Sequence, residues 1–180
     1  MLVLQCTKKL LTEGSLKANE IPAEECAGIN VWYANLLWCQ RSKGVLFTNA
    51  ESLLSIFVWP ARRAEIRSVG ALLVRPLGEY LEDEGIPEDH IHRILEGLTP
   101  VLYARTSNRS VLGSMTDFAH AIACWNEDCR FDCESAIEEL NRRLNQTPMS
   151  AIGYDYPISR FREMIGCALS KKRVRPVVAG

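Results

Sequence analysis

The stretch Val31–Trp59, VWYANLLWCQRSKGVLFTNAESLLSIFVW, decides the fold class. Trp32, Ala34, Leu36 and Trp38 alternate with Val31, Tyr33, Asn35 and Leu37. That is the two-residue period of a strand, and aromatic and β-branched side chains suit a pleated surface. Both faces of this run are apolar, so it reads as a central strand covered on both sides. Gln40–Gly44 is a turn with the expected glycine, and Val45–Thr48 is the returning strand. Asn49–Ser52 makes a second turn. Leu53–Trp59 is a third strand, stopped by Pro60, which has no N–H to give a ladder. Three strands on tight turns predict an antiparallel meander, with the tryptophans in its core.

Beyond Pro60 the period lengthens. Ile66, Val69, Leu73, Leu77, Tyr80 and Leu81 mark a long helix from about Ala61 to Glu84. Pro76 inside it predicts a kink or a split near Val74–Arg75. Gly85 closes this helix, and Pro87 starts the next, with Ile91, Ile94, Leu95 and Leu98 on one face. Gly97 and Pro100 end it. Val101–Thr106 is another strand, and it runs into RTSNRSVLGSMTDFAHAI, Arg105–Ile122. There Val111, Leu112, Met115, Phe118, Ala119 and Ile122 recur at helical spacing, giving a helix from Arg109 to Trp125. Asp132 is placed to cap a further helix with Cys133, Ile137, Leu140 and Leu144 inward. Pro157 opens the last helix, with Ile158, Phe161, Met164, Ile165 and Leu169 inward.

In the other direction, Gly14–Gly28 is a polar loop. Leu2–Cys6 is a short strand, followed by Thr7 as a cap on a brief helix over Lys8–Thr12. The sum is an α+β fold: an antiparallel sheet of four to five strands, meander included, packed with about five helices. No repeat or low-complexity linker interrupts residues 1–169, which predicts one domain, and 170–180 reads as a loose basic tail.

The bulk numbers bound the function classes. Area scaling for this mass gives roughly 8,800 Å² exposed when folded against about 29,000 Å² extended, so the core suffices without metal or disulfide. Net charge is −1, from 21 basic and 22 acidic residues, so no general attraction to nucleic acid or anionic membrane arises. No apolar run is long enough to span a membrane. Seven cysteines, an odd number falling partly in apolar patterns, point to free and mostly buried thiols in a reducing cytoplasm.

The chemistry-bearing residues give few leads. His120 and Cys124 share a helix face, a metal-ligand spacing, but no CxxC pair accompanies them, so no metal and no cofactor is expected. Ser110 and Ser114 flank Gly113 without the two outer glycines of a nucleophile elbow. The carboxylate groups Glu82–Glu84 and Glu127–Asp128 sit at helix ends, where solvated charge is normal. Basic pairs such as Lys8–Lys9, Arg62–Arg63 and Arg142–Arg143 leave nucleic acid as a partner open but not favoured. The remaining lead is the corner before the helix at Arg109. Ser107, Asn108 and Ser110 are N-cap candidates, Arg105 and Arg109 flank them, and free N–H groups with two guanidiniums favour an anion. Arg105, Asn108, Arg109 and Ser110 are therefore the candidate ligand site.

Four segments carry a resemblance: MLVLQCTKKLL at the start, VWYANLL, RSVLGSMTDFA and LNQTPMSAIGYDYP. Together they resemble an uncharacterised bacterial domain-of-unknown-function family over Met1 to about Glu163. The resemblance implies a small intracellular bacterial or mobile-element protein and carries no assigned activity. LNQTPMSAIGYDYP is also similar to a loop near the end of transposase and integrase catalytic domains. No acidic triad accompanies it here, so the likeness is one of loop chemistry. These readings lead to a non-enzymatic binding or regulatory module with an anion or ligand pocket at Arg105–Ser110. The alternatives are a hydrolase or nuclease acting on a phosphate-containing substrate, and a protein-partner subunit of a toxin–antitoxin or defence system.

Overall fold

A computed structural model describes residues 1–22, 28–129, 131 and 133–167. The expectations for Cys26, Asp132, Leu169 and the tail from 170 lie outside the described residues. Five strands, β1 (Leu2–Cys6), β2 (Val31–Cys39), β3 (Ser42–Asn49), β4 (Ser55–Val58) and β5 (Val101–Arg105), form one sheet in the order β4-β3-β2-β1-β5. Seven α-helices accompany it among the described residues: α1 (Lys8–Gly14), α2 (Arg63–Arg67), α3 (Val69–Asp83), α4 (Glu88–Glu96), α5 (Arg109–Cys129), α6 (Glu134–Asn145) and α7 (Pro157–Met164).

The meander is present, with β2–β3 and β3–β4 antiparallel. The sheet as a whole is mixed, which corrects the antiparallel expectation: β1 lies between β2 and β5 and runs parallel to both. Parallel neighbours need a long crossover. The segment carrying α1 supplies it between β1 and β2, and α2 to α4 return the chain from β4 to β5.

Helices cover both faces. Leu2, Leu4, Cys6, Trp32, Ala34, Phe47 and Ile56 pack under α1, α2, α3, α4 and α7. Tyr33, Leu46 and Phe57 pack under Val111, Met115, Phe118 and Ile122 of α5 and Leu140 and Leu144 of α6. This explains the doubly apolar run at Val31–Cys39.

Local expectations are corrected at several points. The turn after β2 is only Gln40–Arg41, both at positive φ, with Cys39 opposite Ser42. Two such residues match the twist of a tight hairpin. Gly44 therefore lies within β3, where a Cβ would come 2.7 Å from the Phe57 ring. Trp38 is 58% exposed, beneath Lys43 rather than in the core, while Trp32 is fully buried. The long helix breaks at Ser68 (φ −121, ψ 42), not at Pro76, which sits inside α3. The buried stripe Val69, Leu73, Leu77, Tyr80 and Leu81 holds α3 together through the lost hydrogen bond. Gly85 ends α3 as expected: its N–H donates to the Glu82 carbonyl and that of Ile86 to the Leu81 carbonyl, a Schellman closure. Cys133 is the N-cap of α6 and exposed, not inward.

Candidate functional site

The sheet order creates one distinctive place. β1 leads into α1 on one face, whereas its parallel neighbour β5 leads into α5 on the opposite face. The two connections diverge, so a crevice opens beyond the carboxyl ends of β1 and β5. Such switch points are where open α/β sheets hold ligands. The segment Ala18–Ile21 forms the outer wall. Asn19 donates both its backbone N–H (2.8 Å) and its side-chain N–H (3.1 Å) to the Tyr103 carbonyl.

The crevice has two lobes that share Ala18, Arg105 and Thr106. The α1-side lobe, about 600 Å³, is lined further by Cys6, Lys8, Leu11, Thr12 and Leu16. The α5-side lobe, about 580 Å³, adds Gln5, Asn19, Glu20, Ile21, Ala104 and Ser107. Strand register separates the two. Cys6 is opposite Arg105, and Cys6 belongs to the α1-side core. Gln5 is opposite both Ala104 and Tyr33, on the α5 side. Burial pushes the Cys6 thiol up to about 12, so at neutral pH it is a protonated thiol and no nucleophile. Lys8 and Arg105 make no ion pair with any described residue.

Beneath the start of α5 lies a polar network. Gln5 Oε1 accepts from the Ser107 N–H (3.0 Å) and from Ser107 Oγ (2.9 Å). Tyr33 Oη accepts from the Asn108 N–H at 3.0 Å and lies 3.3 Å from Ser107 Oγ. Asn108 Oδ1 then accepts from the N–H groups of Ser110 (2.8 Å) and Val111 (3.4 Å), the N-cap arrangement. Gln5 and Tyr33 are buried. The loop between β5 and α5 is thus pinned from below by two strand side chains.

A family model describing a domain of unknown function, DUF6933, matches residues 3–160 of the chain. The protein belongs to the DUF6933 family. No curated protein matches it, and no solved structure matches it. The resemblance to an uncharacterised family thus stands. The DUF6933 match runs from β1 into α7, so it takes in both lobes and the network beneath them.

In this DUF6933 domain the four corner residues part company. Arg105 ends β5 and lines both lobes. Asn108 spends its side-chain oxygen on capping α5. Arg109 and Ser110 are exposed on the first turn of α5, and neither lines a lobe. Most of the free N–H groups that suggested an anion site at the helix start already have acceptors: those of Ser107, Asn108, Ser110 and Val111. Elsewhere, His120 and Cys124 are both exposed on α5, and among the described residues no three His, Cys, Asp or Glu side chains gather as metal ligands. Ser114 is buried and donates to the Ser110 carbonyl, a packing role. Cys124 and Cys133 are exposed, against the expectation of mostly buried thiols, while Cys6 and Cys39 are buried. No helix among the described residues is long and apolar enough to cross a membrane.

The residues that sequence reading missed are Gln5 and Tyr33. One signal was available for the first: a glutamine within the apolar strand Leu2–Cys6 is costly unless its amide is used. Tyr33 looked like one more aromatic of a strand.

Proposed function

We propose that this protein is a binding or regulatory module whose ligand sits in the crevice between β1 and β5 and carries an anionic group such as phosphate. One observation carries the reading: Lys8 and Arg105 both line the α1-side lobe at a topological switch point, and neither has an ion-pair partner among the described residues. Binding is favoured over catalysis by the lining itself. Among the described residues it offers one carboxylate, Glu20, no histidine, and a thiol held protonated by burial. That set positions a ligand but supplies no matched acid and base. A bacterial, cytoplasmic, possible mobile-element setting belongs to the same reading and rests on the resemblance of the four sequence segments.

Thermal melts in inorganic phosphate test it. At a hundredfold excess over Kd, bound phosphate should raise Tm by about 5–10 °C for a chain of this size. The shift should persist in Arg109→Ala and shrink in Lys8→Ala and Arg105→Ala. Equal shifts in all four proteins, or none in the wild type, would sink the reading.

A further inference from the structure

The α1-side lobe is ordered along α1. Lys8, Leu11 and Thr12, three and four positions apart, share one face of that helix and line the lobe. Lys8 stands at the first turn, just beyond Cys6, and Cys6 is opposite Arg105 in the sheet. Both cations therefore belong to the end of the lobe at the carboxyl ends of the strands. The other end is apolar. Helix α1 stops at Ser15, whose left-handed φ of 53° turns the chain back, and the Leu16 N–H donates to the Leu11 carbonyl at 2.9 Å. Such a closure sets those two side chains on a common apolar patch, and both pack against the same core. Leu11, Leu16 and Ala18 are only half-buried, so each keeps accessible surface, and each lines the lobe. The neutral polar groups are few. Among the described residues the lining holds no carboxylate, amide or imidazole. Thr12 Oγ1 commits its proton to the Lys8 carbonyl at 3.0 Å. A polyhydroxyl ligand body would leave water there for few partners, whereas hydrocarbon gains by burial.

We propose that the ligand of the α1-side lobe is an aliphatic anion, with a phosphate-type head at Lys8 and Arg105 and an unbranched hydrocarbon chain lying along Leu11, Leu16 and Ala18. This rests on the anion reading above and specifies the body of the ligand, which sets aside sugar phosphates and nucleotides. The α1-side lobe suffices by itself: at about 600 Å³ it leaves room for several carbons beyond the head. The two leucines act as the specificity-determining residues, because they reward each methylene that leaves water and offer nothing to a hydroxyl.

The test compares inorganic phosphate, methyl phosphate, n-butyl phosphate and ribose 5-phosphate on the full chain by calorimetry. A fully buried methylene is worth about fourfold in affinity, and the lobe is open to water, so the three extra methylenes of n-butyl phosphate should tighten binding about tenfold over methyl phosphate. Ribose 5-phosphate should bind no more tightly than methyl phosphate. Leu16→Asn puts an amide in the apolar wall and should bring the butyl-to-methyl ratio within about threefold. Lys8→Ala should weaken both alkyl phosphates and keep their ratio. A measurement on wild type alone covers the case in which Leu16→Asn does not fold: the butyl protons should give intermolecular cross-peaks to the Leu11 and Leu16 methyl groups. A butyl-to-methyl ratio near one, a ratio undiminished in Leu16→Asn, ribose 5-phosphate binding as tightly as n-butyl phosphate, or absent cross-peaks overturns the proposal. If inorganic phosphate binds through Lys8 and Arg105 while these fail, the anion reading stands and the aliphatic body falls. If no phosphate binds, yet n-butanol gives the same cross-peaks, the apolar wall stands and the proposal is overturned at its head, together with the anion reading.

Discussion

Asn49 ties several stretches of backbone together through one side chain. It is fully buried at the end of β3. Its Nδ2 donates to the carbonyls of Gly28 (3.3 Å), Ile29 (3.2 Å) and Val31 (3.2 Å). Its Oδ1 accepts from the N–H groups of Glu51 (3.2 Å) and Ser52 (3.0 Å) and from Ser52 Oγ (2.9 Å). The turn into β4 and the approach to β2 are therefore tied to one amide. Removing it strands several buried groups, each costing about 1–3 kcal/mol when unsatisfied. Asn49→Ala should lower stability by roughly 3 kcal/mol in urea unfolding, toward the upper end of that range. Asn49→Asp turns a carboxylate oxygen toward those three carbonyls in a buried position, so it should cost at least as much. A loss within about 0.5 kcal/mol for Asn49→Ala, the scale of an ordinary surface change, would show that the turn holds without it. In the sequence this residue reads only as a turn former, because its partners at Gly28–Val31 are distant along the chain.

At the scale of elements, the open side of β4 is closed by a helix. Asn141 Oδ1 accepts from the Phe57 N–H at 2.7 Å, and its Nδ2 donates to the Phe57 carbonyl at 3.1 Å. One turn later Asn145 does the same for Ser55, with both bonds at 2.7 Å. The two amides, four apart on α6, imitate a neighbouring strand. They satisfy backbone groups that would otherwise offer an edge to another chain. Asn141→Ala with Asn145→Ala should cost about 1–3 kcal/mol per site in denaturant unfolding. It should also raise light scattering on mild heating, as the edge becomes available. Unchanged scattering together with unchanged stability would mean that α6 packs on β4 through its apolar residues alone. In the sequence these asparagines were two polar positions beside Arg142 and Arg143, and nothing at helical spacing says that a polar face meets a strand edge.

Across the whole molecule, α7 closes the layer that covers the α1 side of the sheet. Ile158 and Phe161 enter that core, and Phe161 meets the Trp32 ring edge-on at 6.4 Å. Arg162, buried on the same helix, donates to the Glu84 carbonyl and lies 3.4 Å from the Glu84 carboxylate. It thereby joins α7 to the end of α3. Taking away one partner of a buried pair leaves the other charge exposed to a poor solvent, at a cost of about 3–5 kcal/mol. Arg162→Met, which retains the bulk, should lose roughly 3 kcal/mol in the same unfolding assay, the low end because Glu84 keeps some water. Glu84→Gln in the Arg162→Met background should recover part of it. No recovery would place the cost in packing and not in the charge.

The amino-acid sequence alone determined the strand meander, most of the helices and their buried faces, and the end of α3 at Gly85. These rest on periodicity and local backbone chemistry, which act between residues close in the chain. It also marked the β5–α5 corner as polar and arginine-flanked. Only the tertiary structure decided that β1 runs parallel between β2 and β5, because strand direction depends on where the crossovers land and not on the strand's own residues. That same placement sends α1 and α5 to opposite faces and opens the crevice. It keeps Arg105 at the crevice, assigns Asn108 to capping, and leaves Arg109 and Ser110 outside. It also brings Gln5 under Ser107, a residue 102 positions away. A hydrogen bond over that separation has no signature in spacing, which is why the side chain that pins the β5–α5 loop was legible only as an odd glutamine in an apolar strand.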